Sequence, residues 1–356
     1  ARELRRERDV PVGMIGAYKG GTPAESWTSV SGLGKEALLA GYLAERQKVE
    51  DNFAERQEQF PRLQAEFQAA MKEWNAASDE AKKSGAQPPR RPNAPPSPDG
   101  GFGTPGNLFN GMIAPLTPFA MRGVIWYQGE SNGDHFQEAV LYKALFKRMI
   151  LDWREAWGRE ELAFLFVELA NFIASKQEPE GGVWPWVRDG QRAALALPMT
   201  GMASAIDIGN ATDIHPLDKV DVGVRLALAA RRVAYGEKIV DSGPVYDSLR
   251  VEGNKIRLMF TSVGGGLVIG VPPWAPDGKI PSPSAELRGF VIAAADGKFV
   301  PAKAVIEGGT VVVSADGVSQ PAAVRYNWAD NPKGNLYNRE GLPAPAFRTD
   351  EWAPVR

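Results

Sequence analysis

The chain has 356 residues, a formal net charge of -2, 44% hydrophobic and 24% charged residues, and no cysteine. That is a globular composition. Near-neutral charge argues against nucleic acid as the main partner, and the lack of cysteine excludes a disulfide framework, a thiolate nucleophile and a thiolate metal site. No apolar run is long enough to span a membrane, and the charged start Ala1–Arg8 lacks the apolar core of a leader peptide.

Residues 1–8 read as an amphipathic helix, a beginning that leads us to expect further polypeptide upstream. Val10–Gly16 reads as a buried strand. Tyr18–Pro23 follows as a glycine loop, with Thr22 or Pro23 opening a helix. From 35 to 84 the chain is dense in Glu, Lys, Arg, Gln and Ala. Apolar residues recur there at helical spacing through Phe60, Leu63, Phe67, Met71 and Trp74. This predicts two long helices, paired as a hairpin, interrupted at Pro61. They read as a solvated charged insertion or as a partner-binding coil. Residues 85–107, rich in Pro and Gly, read as the linker back to the core.

Gly123–Tyr127 reads as a buried strand ending in Gln128-Gly129-Glu130-Ser131-Asn132-Gly133. Helices are expected over 137–157, 184–196 and 218–235, and strands over 162–169 and 202–208. Helices alternating with apolar strands are the α/β pattern. Beyond 240, short alternating runs at 249–251, 256–260, 267–271, 289–294, 310–313 and 323–328, set between Gly and Pro turns, predict an all-β unit. The expected domains are therefore 1–240, α/β with the 35–107 insertion, and 241–356, a β-rich accessory domain.

Polar residues at the carboxyl end of a strand occupy the place where open α/β sheets bind ligands. Gly20, Gly21 and Gly129 offer backbone N–H groups at close approach. With the amide of Gln128 or Asn132 they could stabilise a developing oxyanion. Glu130 could act as an acid, a metal ligand or a hydrogen-bond anchor, although no histidine lies near it at ligand spacing. Ser131 lacks the Gly-x-Ser-x-Gly elbow of a serine nucleophile. Of the two histidines, His135 reads as an exposed loop residue. His215, in Thr212-Asp213-Ile214-His215-Pro216, could act as a general base toward a hydroxyl. Asp213 or Asp207 could orient its imidazole, and Asp213 is favoured. Arg122, Arg188 and Gln191 could meet a polar sugar.

Four stretches carry a resemblance: VPVGMIGAYKGGTPAESWTS (10–29), NGMIAPLTPFAMRGVIWYQGESN (110–132), DIHPLDKVDVGVRLALAARRVAYG (213–236) and RYNWADNPKGNLYNREGLPAPAFRTD (325–350). Together they resemble the sialate O-acetylesterase family of SGNH-type hydrolases, which is linked to acetylxylan esterases. The resemblance implies a flavodoxin-like SGNH-hydrolase domain that removes acetyl groups from sugars without a cofactor or metal, in an extracytoplasmic setting. It also implies a serine nucleophile in an early Gly-Gln-Ser-Asn block, oxyanion help from Gly20-Gly21 and from Gln128–Asn132, and His215 as base. Gly-Gln-Ser-Asn does not occur in the 356 residues. The family places it before the strand at 10, so the nucleophile is expected upstream of Ala1. A homologue that binds carbohydrate without hydrolysing it, or serves as a scaffold, is the competing expectation.

Overall fold

A computed structural model describes residues 1–175, 181–271 and 286–354. Its helices are α1 (Arg2–Arg8), α2 (Val30–Leu33), α3 (Ala40–Asp51), α4 (Phe53–Ser84), α5 (Phe136–Trp157), α6 (Trp184–Ala194) and α7 (Lys219–Val233). The chain forms two compact units, residues 25–116 and residues 1–24 with 117–356. These differ from the expected division at 240: the C-terminal strands cluster with the α/β region.

The larger unit is built on three parallel strands, β1 (Gly123–Trp126), β2 (Ala163–Glu168) and β3 (Thr200–Ser204), in the order β1-β2-β3. Strand alternation divides β2 between two helical layers. Phe164 and Phe166 face Phe146 of α5, with ring centroids 6.2 and 5.0 Å apart. Leu165 packs with Ala229 and Ala230 of α7, and Val167 with Val222. A fully buried strand covered on both faces explains why 162–167 reads as an apolar run, which Glu168 ends. Gly158, at φ 60°, caps α5 in the left-handed conformation that favours glycine.

One expected strand does not form. Residues 10–16 pair with no described strand, and Val10, Met14 and Ile15 are exposed. A strand needs a neighbouring edge to satisfy its backbone, and apolar side chains alone do not create one. β1 ends the sheet on one side, and its Ile125 is exposed as well.

Beyond 240 the chain forms β4 (Val245–Glu252), β5 (Lys255–Thr261), β6 (Leu267–Ile269), β7 (Phe290–Ala293), β8 (Val300–Pro301), β9 (Lys303–Glu307), β10 (Thr310–Ser314), β11 (Ala323–Tyr326), β12 (Leu336–Asn338) and β13 (Phe347–Arg348). Two antiparallel sheets, β4-β5-β10-β9 and β13-β11-β7-β8, share one core. Ile256, Leu258, Val311 and Val313 from the first sheet meet Phe290, Ile292, Val324 and Phe347 from the second. All six predicted runs appear as strands. β8, β9, β12 and β13 went unpredicted because two-residue strands and Pro-flanked ones leave little alternation to read.

In the smaller unit the helices divide at Asn52, and α4 continues through Pro61. The segment after α4, residues 86–97, contains no helix or strand. Trp74 Nε1 donates to the Pro89 carbonyl at 2.8 Å, and the Arg91 guanidinium lies 5.8 Å from the Trp74 ring centre. Pro92, Pro95 and Pro98 are half-buried at three-residue spacing, the repeat of a polyproline II helix. Arg46 of α3 closes the unit by donating to Pro105 O at 2.7 Å and Asn107 Oδ1 at 3.1 Å.

Candidate active site

The loops that leave β1 and β3 meet at the carboxyl end of the sheet. The loop after β1 is held by side-chain amides. Gln128 Nε2 donates to Asn132 Oδ1 at 2.7 Å and to Thr22 O at 3.3 Å, and Gln128 Oε1 accepts from Tyr142 at 3.1 Å. Asn132 Oδ1 also accepts the Ala24 N–H at 2.9 Å. Gln191 Nε2 donates to Gln128 O at 3.1 Å. These bonds join the glycine loop at 19–24 to the 128–132 loop, so Gly20, Gly21, Gln128 and Asn132 belong to one constellation. They also engage both Nε2 and Oε1 of Gln128 in contacts within the protein. Asn132 is buried, with its oxygen spent on these contacts. Gly21 sits at φ 70° beside the turn closed by Thr22 Oγ1 on Lys19 O at 2.8 Å.

Glu130 begins the short turn Ser131–Gly133. Burial raises its carboxyl above the usual carboxylate range, while the N–H groups of Glu130 and Gly129 and the charges of Lys219 and His215 act against that rise. The Gly129 N–H is thus turned to Glu130, which weakens its candidacy as an oxyanion donor. Burial, followed by the Glu130 charge, pushes the Tyr127 hydroxyl well above its ordinary value. Lys219 Nζ lies 4.8 Å from the Tyr127 ring centre. Lys219 went unnoticed in the sequence, although its place on the first turn of the helix after His215 was the available signal.

His215 stands at the tip of the loop after β3 with its side chain 87% exposed. Its Nδ1 is 3.4 Å from Asp213 Oδ1, and the same oxygen accepts the His215 N–H at 2.8 Å. The Asp213–His215 pairing therefore forms. Asp207 is committed elsewhere: Arg225 Nη1 and Nη2 donate to its two oxygens at 2.5 and 2.9 Å, and Tyr337 donates to Oδ2 at 2.9 Å. His135 precedes α5 as an exposed residue. Ser131 is half-buried in its turn.

Three residues expected to meet a sugar do other work. The buried Arg188 guanidinium donates to the carbonyls of Leu169, Ala170, Ala329 and Asp330 at 2.6–3.0 Å. Gln191 accepts from Leu169 N and donates to Val167 O. Arg122 precedes β1, at the opposite end of the sheet, and lies 5.0 Å from the Tyr235 ring centre. Buried polar side chains in a parallel sheet usually satisfy backbone, and sequence does not distinguish that use from ligand binding. Among the described residues no group of three or more His, Cys, Asp or Glu could hold a metal ion.

Parallel strands between two helical layers, with converging polar loops at their carboxyl ends, define an open α/β protein with its site at the sheet's rim. Residues 102–232 match the family described as carbohydrate esterase, sialic acid-specific acetylesterase. The chain is 33% identical over 253 residues to sialate O-acetylesterase of Rattus norvegicus, covering 66% of this chain and 42% of the relative. It is 36% identical over 172 residues to sialate O-acetylesterase of Homo sapiens, covering 43% and 32%. The crystal structure of a carbohydrate acetylesterase from Xanthomonas citri superposes with a TM-score of 0.72 at 38% identity, covering 99% of this chain and 64% of that one. The chain is thus similar to sialate O-acetylesterases and to a carbohydrate acetylesterase of known structure, with residues 102–232 carrying the family match. It spans less than half the length of these curated relatives and about two thirds of the bacterial structure.

Proposed function

We propose that this chain carries the histidine side of a carbohydrate O-acetylesterase. In this reading Asp213 orients His215, and the imidazole takes the proton of a serine hydroxyl as its oxygen attacks the acetyl carbonyl. The N–H of Gly21 and the Asn132 amide face the resulting oxyanion. The carbon–oxygen bond to the sugar then breaks, His215 returns the proton to the departing sugar oxygen, and water hydrolyses the acetyl-serine by the reverse sequence. The substrates are O-acetylated sugars such as sialic acids or xylan units, met outside the cytoplasm. The serine comes from polypeptide beyond the 356 residues, since these contain no Gly-Gln-Ser-Asn.

The observation that carries this reading is the Asp213–His215 pair on the loop that meets the amide-bonded 128–132 loop. Its test is acetate release from a chromogenic acetyl ester by the chain alone and by the chain extended with a serine-bearing region. Turnover only in the extended protein supports the reading. Turnover by the chain alone would move the nucleophile to Ser131. Turnover by neither would favour a carbohydrate-binding homologue.

A further inference from the structure

The C-terminal strands were expected to form an accessory domain, yet residues 327–335 leave the sandwich between β11 and β12 and bond to the rim of the parallel sheet. Asn171 Nδ2 donates to Asn331 Oδ1 at 2.8 Å, and Asn171 Oδ1 accepts the Gly209 N–H at 2.7 Å. Asn331 Nδ2 in turn donates to the Ile173 carbonyl. Ile173 lies at φ 62°, a strained conformation for a β-branched residue that persists only where its surroundings enforce it. Phe172 forms a parallel bridge with Asn210. A second tether lies two residues earlier, where Tyr337 of β12 donates to Asp207, already gripped by Arg225.

We propose that the segment 327–338 holds the base of the His215 loop, and that Asn171, Asn331 and Tyr337 are positioning residues for His215. This rests on the reading of His215 as the general base. From the two anchors at 207 and 209 the loop proceeds through short side-chain turns. Asn210 Oδ1 accepts from Thr212 N at 2.9 Å, Asp213 Oδ1 accepts from His215 N at 2.8 Å, and Asp218 Oδ1 accepts from Asp221 N at 3.0 Å to begin α7. Each turn fixes the next, and the first residue is held at the base by the two tethers together with the Phe172–Asn210 bridge and the Arg225–Asp207 pair. An exposed imidazole receives little packing of its own, so its position is inherited from the base of its loop.

The test uses the chain as it stands, with His135→Gln leaving one histidine signal. NMR order parameters are measured for the amides of 209–215 and the His215 ring in the parent, in Asn331→Ala, in the milder Tyr337→Phe, and in Ile292→Val of the sandwich core as a control. The proposal expects loop amides near the rigid value of about 0.85 in the parent and control, falling below about 0.6 in the two tether variants. Unchanged order at 213–215 in a folded tether variant would overturn it, as would a loop already mobile in the parent. Because this readout needs no turnover, it separates the tethers from the acetylesterase reading: absent turnover with the expected order parameters sinks only the latter.

Discussion

The two loops that form the candidate site are built in opposite ways. The loop after β1 is buried and cross-linked through its own functional amides, with Gln128 at the centre of bonds to Thr22, Asn132, Tyr142 and Gln191. The loop after β3 leaves the His215 side chain in solvent and spends its strongest contacts at the base, on Asp207 and Gly209. One loop gains precision from burial, the other from anchoring. Substitutions should therefore separate stability from chemistry differently in the two places.

The largest effect is expected at the anchor. A Cβ added at Gly209 would lie 1.9 Å from Asn171 O and 2.5 Å from Asn171 Oδ1, so backbone must move. Gly209→Ala should destabilise the chain by about 3 kcal/mol or more in urea denaturation. A loss under about 1 kcal/mol would show that the anchor yields easily.

Beneath the two loops sits Glu168, fully buried at the end of β2. Its carboxylate accepts from Ala346 N at 2.8 Å and from the Ser204 hydroxyl. Burial raises it from 4.5 to about 7, against the opposing pull of Ser204, Arg188 and Ala346, while Asp207 adds to the rise. The folded state thus holds this proton more tightly than the unfolded one. Stability from this group is fully present below pH 4.5 and is lost as pH rises to about 7, a change of about 3 kcal/mol. Glu168→Gln should remove that slope between pH 4.5 and 7, and a slope that persists would assign it to another group.

A smaller effect is expected in the amide network. Tyr142→Phe removes one hydrogen bond to Gln128 and should cost about 1 kcal/mol. If Gln128 serves as wall rather than donor, KM and kcat of an active esterase should shift together and modestly. A collapse of kcat alone would restore Gln128 to the oxyanion. The smallest effect on stability belongs to His215→Ala, within about 0.5 kcal/mol by thermal denaturation, because the side chain is exposed.

Sequence pattern was sufficient for the α/β frame and for six of the C-terminal strands, since β7 is apolar throughout, β2 is apolar up to Glu168, and the helices carry clear periodicity. It failed at residues 10–16, where an apolar run was read as a strand although strand formation depends on an edge supplied by other residues. It failed at Pro61, which α4 tolerates. Within the candidate site the motifs pointed to Gly21, Asn132, Asp213 and His215, which the structure places on the loops after β1 and β3 and on the glycine loop. They did not reveal that Arg188 and Gln191 serve backbone carbonyls, nor that Asn331 and Tyr337 reach the His215 loop across more than a hundred residues of sequence. Such contacts are set by tertiary geometry and leave no local pattern.

The most direct test of the central claim is acetate release from an O-acetylated sugar by the serine-complemented protein, compared with its His215→Ala variant. If His215 is the base, the variant should keep its fold and substrate affinity while kcat falls by about 10² or more. Equal turnover in the two proteins would contradict the account and remove His215 from the reaction.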